Sequence, residues 1–558
     1  MNFQKALRPI ILTQLLLPLA LLVFGIYHGL MQVLYRSGLL KASSFMGIEY
    51  YQGLTAHGVI NAILLTSFFA VAFGNAISSQ FLGQRVSVKG AYAALILMII
   101  GTLSAAAAIF LGQANVLYTF YPPLKAHPAF YLGLALFIVG TWIAFYSWIP
   151  GYLKWRRENP NKKTPIAVVG IFSTFIVWQI ATLPVAFEVL VLLLPWSLGL
   201  TSGVNVTLAR TLFWFFGHPL VYFWLLPTYT LYYAVLPKMA GGKLFSDFGA
   251  RFAFLMFCVF SSPLGLHHQF ADPGISSNYK AFHAVLTSIV SIPSLITAFT
   301  LAASLEYAAK RNGGTGWISW WSRLPFFDSE RWLFPYLFCG LIIFVFGGLT
   351  GVVNASYNVN LVVHNTAWVP AHFHLTVAGP VFLGILGMSL YLILGLTGKP
   401  LRHPKLAMLV PYLWTLGVLT FSSGLFWGGL HGEPRRTNMG LTYLNPGSPS
   451  FRPDWVTSSH FGVLGGIVMT IAVLVYFYSL IESLSGASSA ILKENFKIPE
   501  SEALHDEDIG AVKNFTPWII AGVVAVIIAY TPVIQQIMSA NYQNAPGFRP
   551  DSPIMVEK

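Results

Sequence analysis

Residues 365–397 read NTAWVPAHFHLTVAGPVFLGILGMSLYLILGLT, a run without one Asp, Glu, Lys or Arg. A bilayer core of about 30 Å is crossed by about 20 apolar residues in a helix, and this stretch is longer. His372 and His374 lie inside it, where polar groups are costly and usually functional. The rest of the chain repeats the apolar pattern. Of its 558 residues 56% are hydrophobic and only 9% charged, whereas soluble proteins carry about a quarter charged residues. Lipid must therefore solvate much of this surface. The expected fold is an all-α bundle of thirteen spans forming one domain over 1–558. They are placed at 9–34, 53–79, 90–112, 128–153, 164–195, 208–236, 250–270, 281–305, 332–353, 365–397, 403–430, 457–483 and 516–538.

Lys and Arg concentrate in alternate loops and are densest at Lys154, Arg156, Arg157, Lys162 and Lys163. Basic residues mark the cytoplasmic side, which predicts the N-terminus inside and the C-terminus outside. The first span, 9–34, lacks a small-residue cleavage site after a short apolar core, so it reads as a retained helix and not a signal peptide. Cys258 and Cys339 both sit in apolar runs; they can form neither a cysteine metal cluster nor a disulfide framework. The acidic stretch 500–508 reads as a solvated inner connector.

A lone histidine in a membrane helix is most often packed and hydrogen-bonded. Here, however, His57, His218, His267, His268, His372 and His374 all fall in the outer part of their predicted spans. Neutral imidazole is the common ligand of copper, iron and zinc. His372 and His374 are two residues apart, so at about 100° per residue they point to nearly opposite sides of one helix. One metal could not easily use both, but two large cofactors flanking the helix could. Adjacent His267 and His268, with His218 from another helix, suit a three-imidazole copper site. Tyr222 stands four residues after His218 on the same helical face, where a phenol can supply an electron and a proton together.

The segments Trp214-Phe215-Phe216-Gly217-His218-Pro219-Leu220-Val221-Tyr222, Leu266-His267-His268-Gln269-Phe270 and His364-Asn365-Thr366-Ala367-Trp368-Val369-Pro370-Ala371-His372-Phe373-His374 resemble signatures of the haem–copper oxidase superfamily. The resemblance covers nearly the whole chain. It implies His218, His267 and His268 as copper ligands, and His372 as the axial ligand of a high-spin haem of type a or o. It implies His57 and His374 as ligands of a low-spin haem, taken as haem b, and Tyr222 as a catalytic residue covalently linked to His218. Well-known A-type members carry a Glu where this chain has Leu220, and an Asn/Asp-rich loop between spans 2 and 3 that is missing here. Both differences resemble the B-type branch, which also has thirteen spans.

That branch relies on one proton path, whose positions match Tyr229, Tyr233, Ser294, Thr297 and Thr300. The spacing agrees independently, since residues 294, 297 and 300 form a hydroxyl stripe along one helix face. Arg435 and Arg436 suit haem propionates, because guanidinium forks match carboxylates. His364 resembles a residue near the high-spin haem propionate, and Asn360 stands where relatives often have an acid. Glu188 is an intramembrane acid without an assigned role. The other histidines (His28, His127, His283, His403, His431, His460 and His505) read as structural or surface residues.

The resemblance implies four-electron reduction of O2 to water with protons drawn from the inside, charge separation across a prokaryotic inner membrane, and proton pumping. A binuclear copper entry site cannot be built from two distant cysteines, so it is expected on a partner subunit 2. Cytochrome c is the expected donor, with quinol the alternative, and a small single-span subunit is a further expected partner. Nothing points to nucleic acid. Nitric oxide reductase is the rival within the class, and a histidine-relay transporter the rival outside it.

Overall fold

The computed structural model describes residues 4–40, 44–83, 85–437, 443–540 and 542–548. They form an all-α bundle, with one two-stranded hairpin pairing Ser44–Phe45 with Ile48–Glu49. The main helices are α1 (Lys5–Arg36), α2 (Tyr50–Phe81), α3 (Val88–Phe110), α4 (Pro128–Glu158), α5 (Ile166–Ser197), α6 (Val206–Ala234), α7 (Asp247–Phe260), α8 (Ser277–Arg311), α9 (Phe334–Ala355), α10 (Trp368–Thr397), α11 (Pro404–Leu430), α12 (Pro453–Ser485) and α13 (Thr516–Ser539). Among the described residues, eleven of these are long and apolar enough to cross a membrane; α6 and α7 are the exceptions.

The two exceptions have different causes. Helix α6 is 29 residues long but rich in aromatic, hydroxyl and imidazole groups. It is buried along nearly its whole length, so it meets protein where other spans meet lipid and has no need of an aliphatic surface. Helix α7 has only 14 residues, about 21 Å of rise. The span expected at 250–270 is not one helix. It stops at Phe260, because Pro263 lacks an N–H and disfavours helical geometry in the residue before it. A 3-10 turn at Gly265–Gln269 then carries His267 and His268.

Helices pack through small residues, as expected where lipid removes the hydrophobic drive between helices. A Cβ at Gly101 of α3 would lie 2.5 Å from the Gly133 carbonyl of α4, so those two backbones touch. On the far side of α3, Ile96, Ile100 and Leu103 are exposed, as lipid-facing residues should be. Wide π-turns interrupt α2 at Val59–Leu64 and α10 at Val377–Val381, each just after a histidine. In α10 the cause is visible: Pro380 cannot donate to the Thr376 carbonyl. Such bulges concentrate at functional sites.

Candidate functional site

Three imidazoles converge where α6 meets the turn after α7. The ligand nitrogens of His218, His267 and His268 all lie within 4.8 Å of one another. His218 Nδ1 faces His268 Nε2 at 3.2 Å, and the His267 and His268 rings are 4.1 Å apart between centroids. Trp214 stacks flat on His268 at 3.8 Å and holds that ring. Three neutral imidazoles packed nitrogen to nitrogen in a buried place repay a shared cation.

The ring of His267 is also set by its neighbours. Its Nδ1 lies 2.9 Å from Thr287 Oγ1, whose own proton goes to the His283 carbonyl at 2.6 Å. Thr287 therefore accepts from Nδ1–H, which leaves His267 Nε2 free for a ligand. His218 Nε2 is buried and has no hydrogen-bond partner among the described residues. The Tyr222 ring stands edge-on to His218, 4.9 Å between centroids.

His372 and His374 part as their spacing predicts. His372 lies near enough to His218, His267 and His268 to interact with them through space. Its Nδ1 is 3.0 Å from Thr350 Oγ1, which donates to Gly347 O, so Nε2 is again the free nitrogen. His374 lines a separate cavity of about 320 Å³ together with His57. His374 donates from Nδ1 to Pro370 O at 2.7 Å, and His57 from Nδ1 to Gly25 O at 2.8 Å. Both keep Nε2 unspent. The cavity walls are largely apolar, with Phe373, Phe421, Trp414 and Leu425 among them, and Arg435 and Arg436 also line it. Two imidazoles with free Nε2 atoms and two guanidiniums lining one largely apolar slot fit a haem and its propionates.

Strand-like pairing of Thr366 with Pro434 straps the arginine loop to the start of α10. Arg435 also donates to Asn365 Oδ1 at 2.9 Å. Burial, and then the Arg436 guanidinium beside it, pull Arg435 down to about 9. Neither arginine has an acidic partner among the described residues; Arg436 instead lies over the rings of Tyr118 and Tyr121. Nearby Glu433 is already bonded to Arg36 at 2.8 Å and accepts from Ser458 at 2.5 Å. The pair thus calls for external carboxylates. His364 donates from Nδ1 to Asn360 Oδ1 at 3.1 Å, and burial, then Arg435, lower it to about 4.

The hydroxyl positions also meet. Tyr229 donates to Ser294 Oγ at 3.2 Å and Tyr233 to Thr297 Oγ1 at 2.6 Å. Thr297 and Thr300 are buried. Glu188 is buried with both carboxylate oxygens unpartnered among the described residues.

Sequence reasoning missed Thr287 and Thr350, and also the Arg210–Asp272 pair at 2.9 Å, which lies close enough to His364 to act on it. No local signal marks them, since each partner is distant in the chain.

Comparison with known proteins agrees with this geometry. The family described as "Cytochrome C and Quinol oxidase polypeptide I" matches residues 9–464. Cytochrome c oxidase subunit 1 of Thermus thermophilus is 41% identical over 507 residues, 90% of this chain and 88% of that protein. The Thermostichus vulcanus cytochrome c oxidase subunit 1 is 27% identical, over 83% of this chain and 81% of its own. A cryo-EM structure of a heme–copper terminal oxidase dimer superimposes with a TM-score of 0.95 at 48% identity, covering 99% of this chain and 96% of that one. The chain belongs to this family, the catalytic subunits of the haem–copper terminal oxidases. Haem and copper are the cofactors that membership implies.

Proposed function

We propose that the chain is the B-type catalytic subunit of a cytochrome c oxidase, folded as one domain of thirteen spans with the N-terminus inside and the C-terminus outside. The observation that carries this reading is the paired arrangement of imidazoles. One triad lies beside Tyr222, and a separate slot is bounded by His57 and His374. His218, His267 and His268 hold copper, and His372 holds the high-spin haem, of type a or o. His57 and His374 hold the low-spin haem, of type b. When bound, these groups supply electron transfer and the redox chemistry that reduces O2 to water.

The protein's own residues do the remaining work. Tyr222, edge-on to His218, is placed to give a proton and an electron at the reacting centre, and the unpartnered His218 Nε2 supports its covalent link to that ring. Tyr229, Tyr233, Ser294, Thr297 and Thr300 move protons from the inner side along paired hydroxyls. Arg435 and Arg436, with His364 and Asn360 nearby, hold the propionates. A partner subunit 2 with a binuclear copper site brings electrons from cytochrome c, and a small single-span subunit completes the complex in a prokaryotic inner membrane.

Purified enzyme should contain two haem irons to three coppers, one copper on this subunit and two on the partner subunit, read by metal analysis and pyridine haemochrome spectra. Iron without copper would overturn the assignment in favour of a nitric oxide reductase. A finer test uses Gly29, where a Cβ would lie 2.7 Å from His57 Cε1. Gly29→Ala should push the His57 ring aside and lower or shift the low-spin band in a reduced-minus-oxidised spectrum. The high-spin band should be unchanged, and an unaltered low-spin band would contradict the placement of that haem.

A further inference from the structure

We propose that Tyr530, on α13, is a positioning residue for the copper triad: its hydroxyl fixes the turn that carries His267 and His268. The inference rests on the copper reading above and adds a support that comes from the last span. The family match ends at residue 464, so α13 lies beyond the matched residues. This helix meets the rest of the chain through one stripe. Gly522, Ala529, Tyr530, Val533 and Ile537 are buried, while Ile527 and Ile528 are exposed, as lipid-facing residues should be. Tyr530 alone on that stripe carries a polar side chain, and a buried phenol seeks a hydrogen-bond partner.

The turn needs such a partner. Helix α7 stops at Phe260, Pro263 has no N–H to give, and the 3-10 piece Gly265–Gln269 forms poorer internal bonds than an α-helix. The amides that open this piece have no helical carbonyl behind them, and buried amides must be satisfied elsewhere. Gly265 N–H donates to the Tyr530 hydroxyl at 2.8 Å. Leu266 N–H donates to His283 Nδ1 at 3.4 Å, and His283 Nε2–H is committed in turn to the Ala529 carbonyl of α13 at 3.2 Å. Both amides just ahead of the two ligands are thus held by α13, one directly and one through His283 of α8.

Tyr530 also reaches the helix that carries the third ligand. Its ring lies flat on Phe215 of α6, 3.9 Å between centroids with 2° between planes, and Phe215 is about one turn before His218. A Cβ on Gly265 would collide with the Trp214 carbonyl and lie 2.5 Å from the Tyr530 hydroxyl, so α6, the turn and that hydroxyl meet at one point. Trp214 is the residue stacked on His268. Tyr530 therefore sets the separation between His218 and the His267–His268 pair, on which a shared ion depends. Phenylalanine would fill the same space and keep the stack on Phe215; the hydroxyl is what the turn uses.

The whole enzyme, with its partner subunit, is purified as wild type, Tyr530→Phe, Val533→Ala and His267→Ala. Tyr530→Phe removes only the acceptor of the Gly265 bond. Val533→Ala removes packing about one turn along the same stripe and leaves that bond in place. Amide exchange of the segment 261–270 is followed by mass spectrometry. Copper retention is read against a graded chelator, with the copper missing from His267→Ala marking the ion that this subunit holds. In Tyr530→Phe, exchange in the segment should quicken about tenfold, the effect of one lost hydrogen bond. The marked ion should also be about tenfold easier to remove, at the low end for loss of a supporting partner. Val533→Ala should melt at a lower temperature but keep its copper as wild type does. Wild-type exchange and retention in Tyr530→Phe, beside copper loss in His267→Ala, overturns the proposal and leaves the copper reading standing. Equal copper loss in Tyr530→Phe and Val533→Ala assigns the effect to packing of α13 and overturns it too. No copper loss in His267→Ala removes the copper reading and this inference with it.

Discussion

Replacing Tyr222 by Phe is expected to lower O2 turnover by about a hundredfold or more, the scale on which a placed proton donor contributes, while copper and both haems stay bound. The reasoning is geometric. The Tyr222 ring packs against His218 at 4.9 Å and against Phe257 at 5.1 Å. Phenylalanine keeps both contacts and removes only the hydroxyl. The imidazole triad is made by three other side chains, so it survives. In the proposed function, the lost group is the one that delivers a proton at the end of the path from Tyr229 and Tyr233. Steady-state oxygen consumption, with metal analysis and optical spectra on the same sample, reads the result. Turnover within a fewfold of wild type would show that Tyr222 is an ordinary aromatic neighbour of His218.

The second large effect concerns the copper site. His267→Ala takes away one of three nitrogens lying within 4.8 Å of one another, and copper content should fall by the one ion this subunit holds, to that of the partner subunit alone, with turnover lost. Thr287→Val should act more gently. Thr287 fixes which His267 nitrogen carries the proton, through bonds of 2.9 and 2.6 Å. Loss of such a supporting partner typically weakens metal affinity about 10- to 100-fold. Copper retention against a graded chelator should therefore rank wild type above Thr287→Val, and Thr287→Val above His267→Ala. Retention in Thr287→Val equal to wild type would remove the hydroxyl from the site, and full copper in His267→Ala would dismiss that histidine as a ligand.

The sequence alone was enough to show an all-α membrane protein and to single out the histidines. Hydropathy is a local property that lipid reads directly, and buried imidazoles in such runs stand out against it. Spacing also separated His372 from His374, because two residues along a helix is half a turn regardless of context. The limits of that reading are equally physical. Residues 250–270 look like one span, yet Pro263 ends the helix early and places His267 and His268 in a turn. Helix α6 departs from an aliphatic surface because protein, not lipid, surrounds it, which composition cannot reveal.

What remained for the tertiary structure was every hydrogen bond between distant segments. Thr287 and Thr350 became the partners that set His267 and His372, and Asn365 became the clasp of Arg435. Glu507, an acid in what looks like a solvated connector, became bonded to a serine 261 residues away. Such pairings depend on how helices cross and dock, so no window of sequence contains them. The run at 365–397 by itself established a buried helix bearing two ligand-type histidines; only packing decided what each of them faces.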